Sequence, residues 1–228
     1  MTTWLIDLDN TLHNASHGIF PAIHANMNRY MALLLGDEKN PADEVIVNAT
    51  RILYWKKYGA TLPGLITHHQ VNPADFLRQT HQFDNLPELL RYETGLKRLL
   101  NRLAGRKILF TNAPSQYSQQ VVKHLGLHPH FDQHISIETM RVHGRLRPKP
   151  SRLLLKKIMA KQKLRAHQCV LIEDTLDNLR SAKQLGMKTV WITQYLKKDG
   201  FRRAHFVDLK VRSVKQIPVK LSRLSLNK

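Results

Sequence analysis

The strongest constraint on this fold is an alternation of two kinds of segment in the second half of the chain. Short apolar runs alternate with segments of roughly ten residues whose apolar positions recur at helical spacing. Parallel strands need long crossover connections, so this alternation predicts an α/β fold with a Rossmann-like parallel sheet covered on both faces. Strands are predicted over residues 4–9, 107–111, 131–137, 169–173, 188–193 and 205–208, and helices over 95–103, 115–125, 151–161 and 176–185.

Residues 15–91 follow a different pattern, in which the regular segments are helical. Helices are predicted over 19–35, 41–58 and 73–81, with Asn72 as the N-cap of the last one and a loop over 59–64. We therefore expect an α/β core of residues 1–14 and 92–228, interrupted after its first strand by an all-helical domain of residues 15–91. An insert at that point is placed to act as a lid over an active site.

The charge of the chain narrows the choice of partners. Lys and Arg number 36 against 17 Asp and Glu, a formal charge of +19, which attracts anions and makes nucleic acid a partner to consider. The basic residues are spread along the chain, although residues 197–228 are the densest region. We interpret them as a solvated surface that attracts a phosphorylated substrate, and we expect neither a nucleic acid nor a membrane as partner.

Compartment is indicated by cysteine usage and by the absence of targeting signals. Cys169 is the single cysteine, and it lies in the apolar run 169–172, where a buried core role is expected. The sequence contains no apolar run of membrane-spanning length, and no basic segment precedes an apolar one at the N-terminus. We therefore expect a cytoplasmic protein.

Two acids follow the first predicted strand. Alternation along a strand places Asp7 and Asp9 on the same side, where two carboxylates repel each other and call for a cation. An isolated Asp-x-Asp can instead form a turn or cap a helix, but here it directly follows an apolar strand. In open parallel sheets, ligands bind at the carboxyl ends of strands, so the pair marks a candidate site.

Polar residues follow two further segments of the core. Thr111 and Asn112 end the second core strand and can bind phosphate oxygens without adding charge, although Asn112 can also cap the next helix. Lys149 lies between Pro148 and Pro150, which hold it on a rigid loop. It can clamp a phosphate or pair with a carboxylate, or it can be a surface lysine in a turn.

A second acidic pair, Glu173 and Asp174, follows the buried run 169–172. Acids in the first turn of a helix are favoured by the helix dipole alone. Asp7 and Asp174 nevertheless end two strands of the same predicted sheet, where they can share a hard cation. Mg²⁺ prefers oxygen ligands and is usually held by one or two carboxylates.

In this order and strand context, the four groups of residues resemble the haloacid dehalogenase-like (HAD) hydrolase superfamily. The resemblance covers nearly the whole chain, and the helical insert is similar to the C1-type cap of subfamily I. More narrowly, five stretches are similar to the pyrimidine 5′-nucleotidase branch. They are Asp7-Leu-Asp-Asn-Thr-Leu12, Tyr54-Trp-Lys-Lys-Tyr-Gly59, Phe110-Thr-Asn-Ala113, Arg147-Pro-Lys-Pro150 and Glu173-Asp-Thr175.

This resemblance implies a Mg²⁺-dependent phosphomonoesterase that forms an aspartyl-phosphate intermediate. Asp7 is then the nucleophile, and Asp9 protonates the leaving oxygen and later deprotonates the attacking water. Thr111 and Asn112 hold the transferring phosphoryl group, and Lys149 balances its charge. Dehalogenase relatives generally lack an acid at the position of Asp9, which favours phosphate chemistry.

The resemblance also implies where the Mg²⁺ ion binds. The implied ligands are the Asp7 carboxylate, the Asp9 backbone carbonyl, Asp174 and, directly or indirectly, Glu173. Two acids followed by Asn are familiar in this branch, so we expect Asn178 near the site and Asp177 on the surface.

For the substrate, we predict a nucleoside 5′-monophosphate, with pyrimidine preferred. Tyr54, Trp55 and Tyr58 can stack on a base, and Asn28 or Arg51 can reach its polar edge, although aromatic residues at helical spacing also pack a domain's own core. A phosphatase or phosphomutase acting on sugar phosphates is an alternative. Another, of a different class, is a basic nucleic-acid-binding protein with a vestigial HAD site.

Overall fold

A computed structural model describes residues 1–58, 60–196 and 204–224 of the 228-residue chain. The chain divides into two compact units: a core unit, Met1–Ser16 with Leu90–Lys228, and a helical unit, His17–Leu89. The sequence-based domain ranges, 1–14 with 92–228 and 15–91, are retained as a proposal. The basic segment 197–228 lies partly outside the described residues.

The core unit contains a parallel sheet, which confirms the predicted α/β fold class. The strands, in chain order, are β1 (Thr3–Ile6), β2 (Arg106–Phe110), β3 (Gln133–Ile135), β4 (Arg141–Val142), β5 (Arg145–Leu146), β6 (Cys169–Glu173), β7 (Lys188–Ile192) and β8 (Leu209–Val211). Among the described residues, six of them form one sheet in the order β3-β2-β1-β6-β7-β8, with every neighbouring pair parallel. Strands β4 and β5 form a separate antiparallel hairpin.

The α-helices of the described residues are divided between the two units. The helical unit contains α1 (Ile19–Leu35), α2 (Glu44–Tyr58), α3 (Thr61–His69), α4 (Pro73–Thr80) and α5 (Leu86–Leu89). The core unit contains α6 (Leu96–Arg102), α7 (Ser115–His124), α8 (Arg152–Lys161) and α9 (Leu176–Lys183). The Asn72 side chain caps α4 by accepting from the backbone N–H groups of Ala74 and Asp75, as predicted.

The predicted loop over 59–64 is wrong for the residues that the structure describes there, because α3 begins at Thr61. Pro63 is tolerated in the first turn of a helix, where its missing N–H has no helical acceptor. Glycine is needed at position 64 for close packing and not for a turn, since a Cβ at this position would lie 2.3 Å from Cγ of Tyr54. Gly59 lies outside the described residues.

The last strand lies later in the chain than the predicted range 205–208. The segment before β8 is anchored by side chains: Thr189 donates its backbone N–H to Asp208 at 2.9 Å and its hydroxyl to the Phe206 carbonyl at 2.7 Å. The regular ladder therefore begins at Leu209. Strand β3 is also shorter than predicted, because 3₁₀ turns at His128–His130 and Ile137–Thr139 flank it.

The first strand lies at the centre of the sheet. All four residues of β1 are buried, and they pair with β2 on one side and β6 on the other. The chain runs from β1 outward to β3 and then returns to the other side of β1, so the sheet has its topological switch point at this strand. The residue that follows β1 therefore lies where ligands bind in open α/β sheets.

Within the part of the chain that the structure describes, none of the helices is both long enough and apolar enough to cross a bilayer.

Candidate active site

The parallel register brings the polar ends of three strands together. Ile6, the last residue of β1, pairs with Leu109 of β2 and Ile172 of β6. Asp7 follows directly, and its backbone N–H donates to the Ile172 carbonyl at 3.0 Å. The carboxylate of Asp7 is therefore held beside the ends of the two neighbouring strands, and the residue as a whole is 5% exposed.

Lys149 is the centre of the hydrogen-bond network at these strand ends. Its buried Nζ donates to Oδ1 of Asp7 at 2.6 Å, to Oε2 of Glu173 at 2.7 Å and to the Phe110 carbonyl at 3.0 Å. An ammonium group has three hydrogens, and each has an acceptor here. Burial opposes its charge, but Asp7 and Glu173 together raise the pKa of Lys149 above its usual value, so the group stays protonated.

Asn112 fixes the loop that carries Lys149. Its Oδ1 accepts from the backbone N–H of Lys149 at 2.9 Å, and its Nδ2 donates to the carbonyl of the same residue at 3.1 Å. Both ends of the amide are thus used to hold the Lys149 backbone, which the sequence alone did not indicate. Thr111 is buried beside it, and its hydroxyl accepts from the backbone N–H of Ala113 at 3.0 Å. The phosphate contacts of Thr111 and Asn112 stay predictions.

Three carboxylates form a possible metal site. Asp7, Glu173 and Asp174 each offer an oxygen, and these oxygens lie within 4.8 Å of one another. Burial raises the pKa of Asp7 to about 7 and that of Asp174 to about 9, and the charge of Glu173 adds to both shifts. A bound cation would relieve the repulsion among the three carboxylates. An all-oxygen set of carboxylates fits a hard ion such as Mg²⁺.

Glu173 is engaged on both of its oxygens. Oε2 accepts from Lys149, and Oε1 accepts from the backbone N–H groups of Asp174 and Thr175 at 3.1 and 3.2 Å. Although burial opposes its ionisation, Lys149 and these hydrogen bonds hold the pKa of Glu173 below its usual value. Asp7 and Asp174 are therefore the better placed direct ligands, with Glu173 orienting the residues around them.

Asp177 and Asn178, which both lie in the first turn of α9, differ in exposure. Asp177 is exposed and pairs with Arg180 at 2.9 Å, as expected of a surface residue. Asn178 is buried at 8% exposure, on the inner side of the helix. Its expected approach to the metal site stays a prediction.

Asp9 lies in an environment that the sequence reasoning missed. Its Oδ1 accepts from the Tyr117 hydroxyl at 2.7 Å and lies 2.8 Å from Nε2 of His13. His13 is fully buried and reaches Asp9 because Leu8 to Leu12 form a single turn closed by a 2.8 Å backbone hydrogen bond. The spacing of four between Asp9 and His13 was a usable signal.

Tyr117 is held as a hydrogen-bond donor. It lies on α7 with 1% exposure, and burial raises the pKa of its hydroxyl well above the usual value, with the charge of Asp9 adding to the shift. A phenol that keeps its proton donates steadily to the Asp9 carboxylate. No sequence signal linked Tyr117 to Asp9, because they are far apart in the chain and meet through the packing of α7 on the sheet.

The candidate specificity residues all lie in the helical unit, where they contact one another or neighbouring helices. Arg51 donates to Oδ1 of Asn28 at 2.6 Å, so these two form a pair. Tyr54 is buried, its hydroxyl lies 2.8 Å from Nε2 of His69, and its ring stacks on that of His68.

These contacts give Tyr54 and Tyr58 defined positions in the helical unit. The Tyr58 hydroxyl lies 2.7 Å from Nε2 of His68. Tyr54, covered by Gly64 and His68, packs α2 against α3 instead of presenting an open face for a base. Trp55, by contrast, is 63% exposed.

Comparison with known proteins agrees with this architecture. A family model described as haloacid dehalogenase-like hydrolase matches residues 4–192. Solved structures with the same fold include a HAD phosphatase from Thermococcus onnurineus (18% identity, 97% of this chain and 98% of that chain, TM-score 0.66). They also include a 2-haloacid dehalogenase from Pseudomonas syringae pv. Tomato DC3000 (18%, 98% and 99%, TM-score 0.61) and a putative β-phosphoglucomutase from Thermotoga maritima (16%, 98% and 100%, TM-score 0.59).

At these identities the structural likeness shows the fold alone, whereas the family model covers most of the sequence. The matched range begins within β1, whose end carries Asp7, and ends with β7. It therefore includes Lys149 and the acidic pair Glu173 and Asp174. On this basis the chain belongs to the haloacid dehalogenase-like hydrolase family.

Proposed function

We propose that this hydrolase is a Mg²⁺-dependent phosphatase that acts on a phosphomonoester through an aspartyl-phosphate intermediate. The observation that carries the proposal is the position of Asp7, a buried carboxylate at the switch point of the sheet with Lys149 at 2.6 Å. Asp9, two residues further on, supplies the second carboxylate that phosphate chemistry needs. A halide leaving group needs no proton, so Asp9 favours a phosphatase over a dehalogenase.

The reaction has two half-reactions. In the first, a carboxylate oxygen of Asp7 attacks phosphorus, the bond from phosphorus to the ester oxygen breaks, and Asp9 gives that oxygen a proton. In the second, Asp9 takes a proton from water, whose oxygen attacks the aspartyl-phosphate and releases inorganic phosphate and the free Asp7 carboxylate. The two acids thus combine covalent and acid–base catalysis.

Several groups would stabilise the negative charge of the phosphoryl group in the proposed reaction. The Lys149 ammonium offsets the charge on Asp7 and on the transferring group. Thr111 and Asn112 are the proposed contacts of the phosphoryl oxygens, although the side-chain amide of Asn112 also holds the Lys149 backbone. Asp7, Asp174 and the backbone carbonyl of Asp9 are the proposed Mg²⁺ ligands, with Glu173 as a supporting residue. A bound Mg²⁺ supplies charge neutralisation for the phosphoryl oxygens, from which phosphoryl transfer gains much of its rate.

For the substrate, we propose a nucleoside 5′-monophosphate with a pyrimidine base. The support is the resemblance of five sequence stretches to the pyrimidine 5′-nucleotidase branch, together with an insert directly after the Asp7 motif, where a C1-type cap occurs. Within that insert, the Arg51–Asn28 pair offers polar groups for the edge of a base. Tyr54 is reassigned to packing on α3 because Gly64 and His68 cover its ring.

A sugar-phosphate mutase is the second candidate, since the fold is shared with a putative β-phosphoglucomutase. Both reactions use the same aspartyl-phosphate. They differ in whether water or a sugar hydroxyl accepts the phosphoryl group, so the product identifies the reaction: inorganic phosphate for a phosphatase, an isomeric sugar phosphate for a mutase.

The nucleophile is tested by Asp7→Asn. We expect at least about a 10³-fold loss of kcat on an aryl phosphate with Mg²⁺, because an amide cannot form the acyl-phosphate. The matched control is Asp177→Asn, the same change at an exposed residue, which should retain wild-type turnover. Retention of substantial activity by Asp7→Asn would contradict the assignment.

Mg²⁺ binding is tested by thermal unfolding, independently of turnover. Saturating Mg²⁺ should raise the Tm by about 5 °C. The raised pKa values of Asp7 and Asp174 mean that the metal-free protein holds protons there, which Mg²⁺ must displace. The Tm shift at a fixed, limiting Mg²⁺ concentration should therefore grow as the pH rises from 6 to about 9.

The same measurement locates the ion. Asp174→Asn should abolish the Mg²⁺-dependent Tm shift, while Asp177→Asn keeps it. An equal shift in both variants would place Mg²⁺ elsewhere.

The role of Tyr117 is tested by its effect on different leaving groups. If its 2.7 Å hydrogen bond positions Asp9, Tyr117→Phe should lower kcat/KM about tenfold for an alkyl phosphate, whose leaving oxygen needs a proton. For 4-nitrophenyl phosphate, a good leaving group, the loss should be much smaller. Tyr92→Phe, at an exposed tyrosine, is the control. Equal losses for both substrates would indicate a purely structural role.

The substrate is tested with a panel of phosphomonoesters, with phosphate release measured. Pyrimidine nucleoside monophosphates should show the highest kcat/KM, and Arg51→Gln should lower it about tenfold for nucleotides while changing it little for an aryl phosphate. Equal turnover of sugar phosphates and nucleotides would remove the nucleotide assignment and leave the phosphatase assignment intact.

A further inference from the structure

Helix α2 of the helical unit exposes a continuous apolar face. Five of the ten exposed large apolar side chains among the described residues lie on this one helix. The α2 apolar face consists of Val45, Ile46, Ala49, Ile52 and Leu53. Its four large members are between 50% and 77% exposed, and Ala49 is exposed as well.

This face is not required for the core of the helical unit. The buried residues of α2 are Val47 and Tyr54, and Tyr54 packs on Gly64 of α3. At 3.6 residues per turn, they lie on the side of the helix opposite to Val45 and Ala49. An amphipathic helix normally places its polar residues on the outer side. Contiguous apolar residues there are typical of an interaction site.

The spacing of the face is symmetrical about Ala49. Large apolar residues stand three and four positions before it, at Ile46 and Val45, and three and four positions after it, at Ile52 and Leu53. A helix face with this property matches itself when a second copy is laid across it in the opposite direction. From this symmetry we propose that the α2 apolar face binds the same face of a second copy of this chain, as an antiparallel helix pair with Ala49 on the two-fold axis.

The side chains at the crossing suit such a pair. Ala49 is small enough for the two helices to approach to about 8 Å at the axis. Val45 then meets Leu53 of the second copy, and Ile46 meets Ile52 of the second copy. Because a two-fold interface uses the same surface on both copies, each apolar contact occurs twice.

Charge at the two ends of α2 favours the antiparallel direction. Asp43 precedes the first turn, where its Oδ1 accepts from the backbone N–H of Ile46 at 2.8 Å, and Lys56 lies in the last turn; both residues are exposed. Antiparallel pairing brings Asp43 of one copy near Lys56 of the other, whereas parallel pairing would place like charges together. In the antiparallel pair, the positive end of each helix dipole also lies near the negative end of the other, which is favourable. A copy of the same chain therefore fits the face both in apolar pattern and in charge.

The first test is sedimentation velocity across a range of protein concentrations. The wild type should show a reversible monomer–dimer equilibrium, and Val45→Glu should raise the dimer dissociation constant about 100-fold, because the new charge is desolvated twice in each dimer. The matched control is Val219→Glu, the same change at a 75% exposed valine of the core unit, which should leave the equilibrium unchanged. A wild type that stays monomeric at every concentration, or equal effects of both variants, would overturn the proposal.

The second test fixes the register and the direction. Ala49→Cys should form a disulfide-linked dimer under mild oxidation, because the two introduced thiols meet at the axis. Val45→Cys and Leu53→Cys should crosslink with each other when mixed, and poorly when each is alone. The native Cys169 is fully buried, and burial raises the pKa of its thiol to about 11, so it does not compete. Efficient crosslinking of Val45→Cys with itself would indicate a parallel pair and contradict the arrangement.

Discussion

The rest of the core unit depends on one buried ammonium group. Lys149 Nζ joins the residue after β1, the last carbonyl of β2 and the last carboxylate of β6, so three strand ends converge on a single positive charge. Without the lysine, the buried carboxylates of Asp7 and Glu173 would lack a positive partner and would strongly destabilise the folded protein. Asn112 holds the backbone of the same lysine from both sides. Electrostatics and backbone geometry thus fix the same loop.

Two carboxylates separated by a single residue lie in different surroundings. Asp7 is buried beside Lys149, whose charge favours the ionised carboxylate that the proposed nucleophile needs, and beside two further acids, which disfavour it. Asp9 accepts from the hydroxyl of Tyr117 and lies beside His13. Environment, rather than residue type, assigns different tasks to paired acids in many enzymes. The local turn after β1 produces this difference within three residues.

The sequence allowed the fold class and the residues at the strand ends to be predicted, because both depend on local patterns. Apolar runs marked β1, β2, β6 and β7, and the acids after them marked the edge where their side chains meet. What it did not predict depends on contacts between distant segments. Gly64 reads as a turn residue until Tyr54 lies against it, and Asn112 reads as a helix cap or phosphate ligand until its amide meets the Lys149 backbone. Tyr117 likewise has no local link to Asp9.

The position of β1 has a consequence for how the chain folds. The strand comes first in the chain, yet the strands that it pairs with begin at Arg106 and Cys169. The whole helical unit is therefore synthesised after β1 and before either of these partners. Contacts of such long sequence separation form late, because a large loop must close first. During synthesis the helical unit can therefore fold while the apolar segment Trp4–Ile6 still lacks both neighbours. The candidate site is then among the last parts to assemble, and a nascent chain that ends before β6 carries Asp7 without Glu173, the acid that Lys149 joins to it.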